Sequence, residues 1–196
     1  MKIILMLITL IALLLVGCTS VVKESESEMN GSEMPNDDRI LRELFSEENW
    51  EQMENLFYFV EKELMSFVDY MKAHDLLEGL MGRIIYFPVI HNDEILRHTT
   101  NPASIFLLMR DSPEFFDIMK SISEQDVIAS VFFSGYPNIQ ITFRINEEQT
   151  PFTTANHGGP NFFRYVGEDG DTPVRFQVRK VREGWYMDMS PPHGLH

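Results

Sequence analysis

The amino-acid sequence predicts an α+β domain in which N-terminal helices pack on a curved antiparallel sheet formed mainly by the C-terminal half. In the first half of the chain, apolar residues recur every three or four positions, a spacing typical of amphipathic helices. After residue 127 the period changes, and apolar residues alternate with polar ones in short runs separated by turn residues. Such alternation is typical of antiparallel strands with one buried face, so we expect the helices to cover that face.

A short helix after Asp37-Asp38 and a long helix over residues 50–74 are predicted to open the domain. Two further helices are expected to start at Asn101-Pro102 and Ser112-Pro113, where a capping side chain precedes a proline. Trp50, near the start of the long helix, is expected to be partly exposed. The long helix carries an apolar stripe that we interpret as a core face rather than a cofactor site: Trp50, Met53, Phe57, Val60, Leu64, Phe67 and Met71.

The predicted strands form an antiparallel meander. Residues 83–90 are β-branched and aromatic, but Pro88 cannot donate to a sheet ladder, so this segment is expected to be an edge strand or an extended segment. In the simplest pairing of the last two strands, Trp185 lies opposite Val178 or Lys180 and its indole packs over the helical layer. The later strands are expected at residues 127–133, 139–145, 162–166, 174–178 and 185–189.

The N-terminus has the pattern of an export signal. Residues 3–16 contain a single polar residue, and this apolar run is shorter than the roughly 20 residues of a membrane-spanning helix. The run leads into Leu15-Val16-Gly17-Cys18. This motif resembles the signal of bacterial lipoproteins, in which the cysteine receives a diacylglycerol and the chain is cut just before it. The resemblance implies a signal peptide at residues 1–17, lipidation of Cys18, and an anchor on the extracytoplasmic side of a bacterial cell membrane or outer membrane.

The rest of the chain is predicted to consist of a tether, one domain and a tail. Residues 18–36 are rich in Ser, Glu and Asn and poor in large apolar residues, so we expect a disordered tether. Residues 37–190 form the predicted single α+β domain, and residues 191–196 form a flexible tail. Removal of residues 1–17 would change the formal net charge from −14 to −15.

The composition argues against several classes of function. The chain has 16 Lys and Arg residues against 30 Asp and Glu residues, whereas a nucleic-acid surface needs concentrated positive charge. The single cysteine excludes an internal disulfide and a cysteine-based zinc cluster. We expect no cofactor, because the chain contains neither a glycine-rich phosphate loop nor a dinucleotide-binding motif.

The order of the predicted elements also resembles a known superfamily. The helical first half is followed by strands and by a closing hairpin with a turn at Arg182-Glu183-Gly184 and a last strand that contains Trp185. Between Trp50 and Met189 this arrangement resembles the NTF2-like (cystatin-like) superfamily, which includes small bacterial lipoproteins. The resemblance implies a pocket between helices and sheet that serves ligand binding or dimerisation, or that holds catalytic Asp and His residues.

Candidate site residues fall in two histidine-containing segments. The first holds four side chains that could bind a metal: His91, Asp93, Glu94 and His98. Metalloproteases use two histidines around a glutamate, and that motif is absent, so we favour a polar surface loop and predict no metal site. The second segment, Asn156-His157-Gly158-Gly159, resembles the oxyanion loop of lipases, but the chain has no Gly-x-Ser-x-Gly nucleophile motif. His157 and His91 are the candidates for a general base or a ligand contact.

These patterns predict a lipid-anchored protein of the cell envelope that binds a partner. We expect attachment to the membrane through Cys18 and binding of an unidentified small ligand or envelope protein, with Phe162, Phe163 and Tyr165 as candidate contacts. The alternative is an envelope enzyme in which His157 or His91 forms an acid–base pair with a carboxylate in an NTF2-like pocket.

Overall fold

A computed structural model of the protein describes residues 41–96, 100–135, 139–150, 161–167 and 177–190. The described part confirms the predicted α+β class: helices pack on a six-stranded antiparallel sheet that comes mostly from the C-terminal half. A helical turn at residues 41–44 precedes helices α1 (Glu47–Ala73), α2 (Ala103–Asp111) and α3 (Pro113–Gln125). Short 3-10 helices lie at Glu78–Leu80 and Glu147–Gln149.

The strands of the main sheet follow the order β1-β4-β5-β6-β8-β7, and every neighbouring pair is antiparallel. A separate two-stranded hairpin consists of β2 and β3. The bounds are β1 (Ile84–Tyr86), β2 (Ile90–His91), β3 (Glu94–Ile95), β4 (Ile128–Ser134), β5 (Gln140–Ile145), β6 (Asn161–Tyr165), β7 (Val178–Arg182) and β8 (Trp185–Met189).

The last strand does not continue a simple meander, and the predicted order is wrong at this point. Strand β8 lies between β6 and β7, so β7 forms the edge of the sheet. The physical reason is composition: every residue of β8 is buried, whereas β7 contains the charged side chains of Arg179, Lys180 and Arg182. Charged residues suit an edge strand, because they discourage pairing with another chain.

The register of the closing hairpin also differs from the prediction. Trp185 lies opposite Arg182 rather than opposite Val178 or Lys180. The register shifts between Lys180 and Arg182, and Gly184 adopts a φ of +72° in the turn. A glycine reaches this left-handed conformation without steric cost, which allows the tight connection.

Asn101 does not cap α2, contrary to the prediction. Its side-chain Oδ1 accepts a hydrogen bond from the Tyr86 backbone N–H at 2.8 Å, and its Nδ2 donates to the Tyr86 carbonyl at 3.1 Å. The Asn101 amide therefore stands in for a neighbouring strand at the free edge of β1. The cap predicted for α3 is confirmed, since the Ser112 hydroxyl accepts from the Phe115 N–H at 3.2 Å. The edge position predicted for residues 83–90 is also confirmed.

Helix α1 packs on one face of the sheet, which we call the inner face. The Phe57 ring lies 5.2 Å from Phe163 and 5.5 Å from Trp185, measured between ring centroids. The ring centroids of Phe67 and Phe143 are 5.7 Å apart. These rings are almost completely buried, and the Trp185 indole packs over the helical layer as predicted.

Trp50 is buried rather than partly exposed, so this expectation is wrong. Only 3% of its surface is exposed, the same fraction as for Trp185. The guanidinium of Arg179 lies 4.6 Å from the Trp50 ring centroid, and the same guanidinium pairs with the carboxylate of Glu47. A cation over an aromatic face is favourable, and Arg179 covers a ring that would otherwise face solvent.

Several predicted features lie outside the described residues. They are the signal peptide at residues 1–17, the lipidated Cys18, the tether at 18–36, the start of the first short helix, the strand segment at 174–176 and the tail at 191–196. None of the described helices combines the length and the apolar composition that a membrane span requires.

Candidate functional site

The outer face of the sheet points away from α1 and carries a continuous row of side chains. Successive strand residues alternate between faces, so the neighbours of inner-face residues such as Phe133, Phe143 and Phe163 belong to the outer face. Pairing across all six strands aligns one residue from each in the order Ile84, Phe132, Thr142, Arg164, Tyr186 and Lys180.

One end of the outer face is apolar and exposed. Ile84 and Tyr86 of β1 and Phe132 of β4 expose 36–39% of their surfaces, and Ile84 pairs directly with Phe132. We call these three residues the edge patch. Single exposed apolar residues are common on proteins, whereas neighbouring ones often mark an interaction site.

The middle of the outer face holds a buried ion pair. Arg164 Nη2 donates to Asp188 Oδ2 at 2.6 Å, and the two side chains expose only 11% and 2% of their surfaces. Arg164 Nη1 also lies 3.5 Å from Gln140 Oε1, at the outer limit of a hydrogen bond. Burial of two charges is costly unless they are paired and hydrogen-bonded, so this pair sets the orientation of the guanidinium.

Two polar atoms beside this ion pair have no hydrogen-bond partner. They are Thr142 Oγ1 and Arg164 Nε, and in the part of the chain that the structure describes no other buried side-chain nitrogen or oxygen is left unpaired. Thr142 and Arg164 are directly paired across β5 and β6, so both unpaired atoms belong to one location. We call Gln140, Thr142, Arg164 and Asp188 the central polar site.

The sequence-predicted histidine segment forms the β2–β3 hairpin rather than an irregular loop. Asn92 and Asp93 have φ values of 48° and 63° in its turn, as both central residues of a type I′ turn require. His91 pairs with Glu94 across the hairpin, and both side chains are exposed. His98 lies outside the described residues.

A surface pocket of about 510 Å³ lies between this hairpin and α3. His91 and Asp93 line it together with Lys120, which forms an ion pair with Asp93. The hydrogen bond to Asp93 raises the pKa of the Lys120 amine. Among the residues that the structure describes, no three His, Cys, Asp or Glu side chains are placed so that they could hold a metal ion.

The other predicted site residues have different outcomes. His157 and Cys18 lie outside the described residues. Phe163 is a core residue with no exposed surface, whereas Phe162 is half-buried. Tyr165 belongs to the inner face, where its hydroxyl oxygen accepts a hydrogen bond from Lys72 Nζ at 3.2 Å.

Sequence reasoning missed the central polar site. The available signal was a lone charge in each of two strands that are rich in aromatic or apolar residues: Arg164 in Asn161–Tyr165 and Asp188 in Trp185–Met189. A charge inside such a strand needs a partner when it is buried. The pairing of β6 with β8 supplies that partner. A simple meander would place β7 between these two strands, so the predicted strand order gave no indication of the ion pair.

Comparison with protein-family models, with curated proteins and with solved structures finds no match for this chain. The likeness to the NTF2-like superfamily and to lipoproteins therefore stays a prediction.

Proposed function

We propose that this protein is a lipid-anchored component of the bacterial cell envelope that binds a partner protein through the edge patch. The motif Leu15-Val16-Gly17-Cys18 supports the anchor, because it presents the only cysteine of the chain directly after a short apolar run. The exposure of Ile84, Tyr86 and Phe132 at one end of the sheet is the observation that carries the binding role.

The charge of the chain narrows the class of partner. A formal net charge of −14 repels a second copy of the same protein and attracts a positively charged one. We therefore expect a basic envelope protein that inserts apolar side chains against the edge patch. Its association rate should fall as salt screens the long-range attraction.

The anchor is tested by replacing the lipidated residue. Cys18→Ser should abolish metabolic labelling with a palmitate analogue and should leave an uncleaved precursor, because no other thiol can receive the lipid. Labelling of the Ser variant would contradict the lipoprotein assignment.

The edge patch is tested by capture from detergent-extracted membranes of the organism that makes the protein. The double variant Ile84→Ser, Tyr86→Ser should reduce capture of the partner about tenfold or more, since large apolar side chains dominate interface energies. Leu107→Ser is the matched control, because Leu107 is a large apolar residue on α2 with 51% of its surface exposed. Equal capture by all three proteins, or an acidic partner, would contradict the proposal.

A further inference from the structure

Building on the proposed function, we infer that the partner that binds the edge patch adds a β-strand to the free edge of β1. This strand forms hydrogen bonds with the backbone of Ile84, and its side chains on the outer face contact the edge patch. The partner therefore supplies an extended, positively charged segment of chain rather than a helix.

The backbone of Ile84 points to the free edge of the sheet. In an antiparallel pair, successive residues direct their N–H and C=O groups alternately toward and away from the neighbouring strand. The Phe87 N–H donates to the Ala129 carbonyl at 2.9 Å, so Phe87 faces β4. Tyr86 faces the other way, since its N–H and C=O are bonded to the Asn101 side chain. Ile84 lies two residues earlier in the strand and has the same orientation as Tyr86.

The N–H and C=O groups of Ile84 are open to an incoming strand. Because they point away from β4, the sheet gives them no partner, and no other residue in the described part of the chain forms a hydrogen bond with them. Ile84 exposes 36% of its surface and Tyr86 exposes 39%, so solvent reaches this edge. Unpaired backbone groups at the edge of a sheet are a template for pairing with another chain.

Asn101 closes the neighbouring position on the same edge. Its side-chain amide makes the two hydrogen bonds to Tyr86 that a residue of a paired strand would make. The open part of β1 is therefore confined to Ile84, and Asn101 marks the end of the site where a strand can add. Short and partly covered edges limit open-ended pairing, so this geometry favours one bound segment over aggregation.

The two edges of the sheet differ in charge. The edge strand β7 (Val178–Arg182) carries three basic side chains, whereas β1 (Ile84–Tyr86) carries none. Positive side chains on β7 repel a basic segment, and β1 offers apolar side chains beside its open backbone. A basic partner attracted by the formal net charge of −14 therefore pairs at β1 and not at β7.

The side chains of the added strand meet the edge patch. Directly opposed residues of paired strands place their side chains on the same face of the sheet. A residue opposite Ile84 therefore places its side chain on the outer face beside Ile84, which in turn pairs with Phe132. In strand addition, main-chain hydrogen bonds provide affinity and alternate side chains provide specificity.

The first test measures binding of a synthetic peptide to the mature lipidated protein in a nonionic detergent. The peptide alternates valine with lysine and has blocked ends, and it is compared with two forms that are N-methylated on every valine or on every lysine. Neighbouring residues of a strand direct their N–H groups to opposite edges, so only one of the two methylated sets faces β1. One methylated peptide should therefore bind about tenfold or more weakly, and the other should bind like the unmodified peptide. All three peptides carry the same charges and side chains, so electrostatic attraction alone does not produce this difference.

The outcomes separate the strand addition from the proposed function. Absence of binding by the unmodified peptide, or equal binding by the two methylated peptides, would overturn the inference. If the methylated peptides bind equally but Ile84→Ser, Tyr86→Ser loses capture of the partner, the edge patch binds through side chains alone, and the proposed function stands without strand addition. Unchanged capture by that variant contradicts the proposed function, and the peptide comparison still decides whether a strand adds to β1.

The second test uses Asn101→Ala, which frees the N–H and C=O of Tyr86 on the same edge. The unmodified peptide should bind this variant about threefold or more tightly than the wild type, because more backbone groups are open to it. The thermal midpoint without peptide should fall, since two hydrogen bonds to Tyr86 are lost. Binding is measured below the thermal midpoint of each protein, and the first test needs no substitution if Asn101→Ala does not fold.

Asn146→Ala is the matched control for this variant. The Asn146 side chain also donates to a backbone carbonyl, that of Asp126, and accepts from a backbone N–H, that of Glu148. Asn146 follows β5, which does not border β1, so its variant should bind the peptide like the wild type. Peptide binding by Asn101→Ala that is no tighter than binding by the wild type and by Asn146→Ala would overturn the inference.

Discussion

On the inner face of the sheet, phenylalanine, methionine and tryptophan side chains fill the space beneath α1 and leave almost no surface exposed. On the outer face, exposed apolar residues lie at one end and a buried ion pair with two unpaired atoms lies in the middle. The same strands supply both faces, because alternate residues point in opposite directions. The inner-face residues therefore specify the fold, whereas residues of the outer face are available for binding.

The different composition of the two faces has a physical basis. Apolar burial stabilises a domain without directional requirements, so the inner face tolerates any well-packed set of large side chains. Buried polar groups stabilise a fold only when every member is satisfied. The outer face departs from that condition at Thr142 and Arg164, and such departures concentrate at functional sites.

The largest effect is expected from an inner-face residue. Trp185→Ala should lower the free energy of unfolding by about 3–5 kcal/mol, because it removes a large ring that packs against Phe57, Phe143 and Tyr165. Phe132→Ala on the outer face should cost much less, since its ring is already 39% exposed. Chemical denaturation of both variants measures the difference between the faces. Similar losses in the two variants would contradict the division proposed here.

The sequence was sufficient to predict which residues form the inner face of the sheet, but it was not sufficient to predict the contacts on the outer face. The spacing of Phe57 and Phe67 on α1 depends only on the helical period, so local pattern was sufficient to predict their burial. The central polar site depends on β6 pairing with β8, a contact between strands that are not consecutive. Local alternation predicts that a strand exists but not which neighbour it pairs with.

This limit of local sequence patterns also explains two smaller differences between the prediction and the structure. Asn101 precedes a proline and so has the local pattern of a helix cap, but the tertiary hydrogen bonds to Tyr86 determine its role. Trp50 lies at the start of a helix, where partial exposure is common, but Arg179 from the distant strand β7 covers its ring. In both cases a long-range contact overrides a correct reading of the local sequence.

A smaller effect is expected when the outer-face ion pair is broken. Asp188→Leu should lower the free energy of unfolding by about 3 kcal/mol, because it leaves the Arg164 cation buried without its partner. The double variant Arg164→Met, Asp188→Leu should recover most of that loss, since an apolar pair of similar volume needs no desolvation of charge. Denaturation of the single and double variants gives the coupling between the two positions.

A surface pair serves as the control for this measurement. Arg182 and Glu61 form an ion pair whose side chains are 42% and 26% exposed. Glu61→Gln should cost about 0–1 kcal/mol, because solvent screens exposed pairs. A double variant of the buried pair that is no more stable than Asp188→Leu would show that the cost arises from lost packing rather than from an unpaired charge.

The smallest effect is expected at the rim of the inner face, where α1 meets β7. Arg179 Nη1 and Nη2 donate to the two oxygens of the Glu47 carboxylate at 2.7 and 2.5 Å, and these hydrogen bonds lower the pKa of Glu47 in the folded protein. A lowered pKa means that the pair stabilises the fold at pH values above the unfolded glutamate pKa of about 4.3 and that this contribution is lost as the pH falls through the folded value. The thermal midpoints of the wild type and Glu47→Gln should therefore differ near neutral pH, and the difference should shrink as the pH falls below about 4.3 and vanish below the lowered pKa of the folded protein. Glu48→Gln is the matched control, because Glu48 shares the first turn of α1 and its favourable interaction with the helix dipole. If Glu48→Gln shows the same pH-dependent difference in thermal midpoint, the difference arises from the helix dipole and not from the ion pair between Arg179 and Glu47.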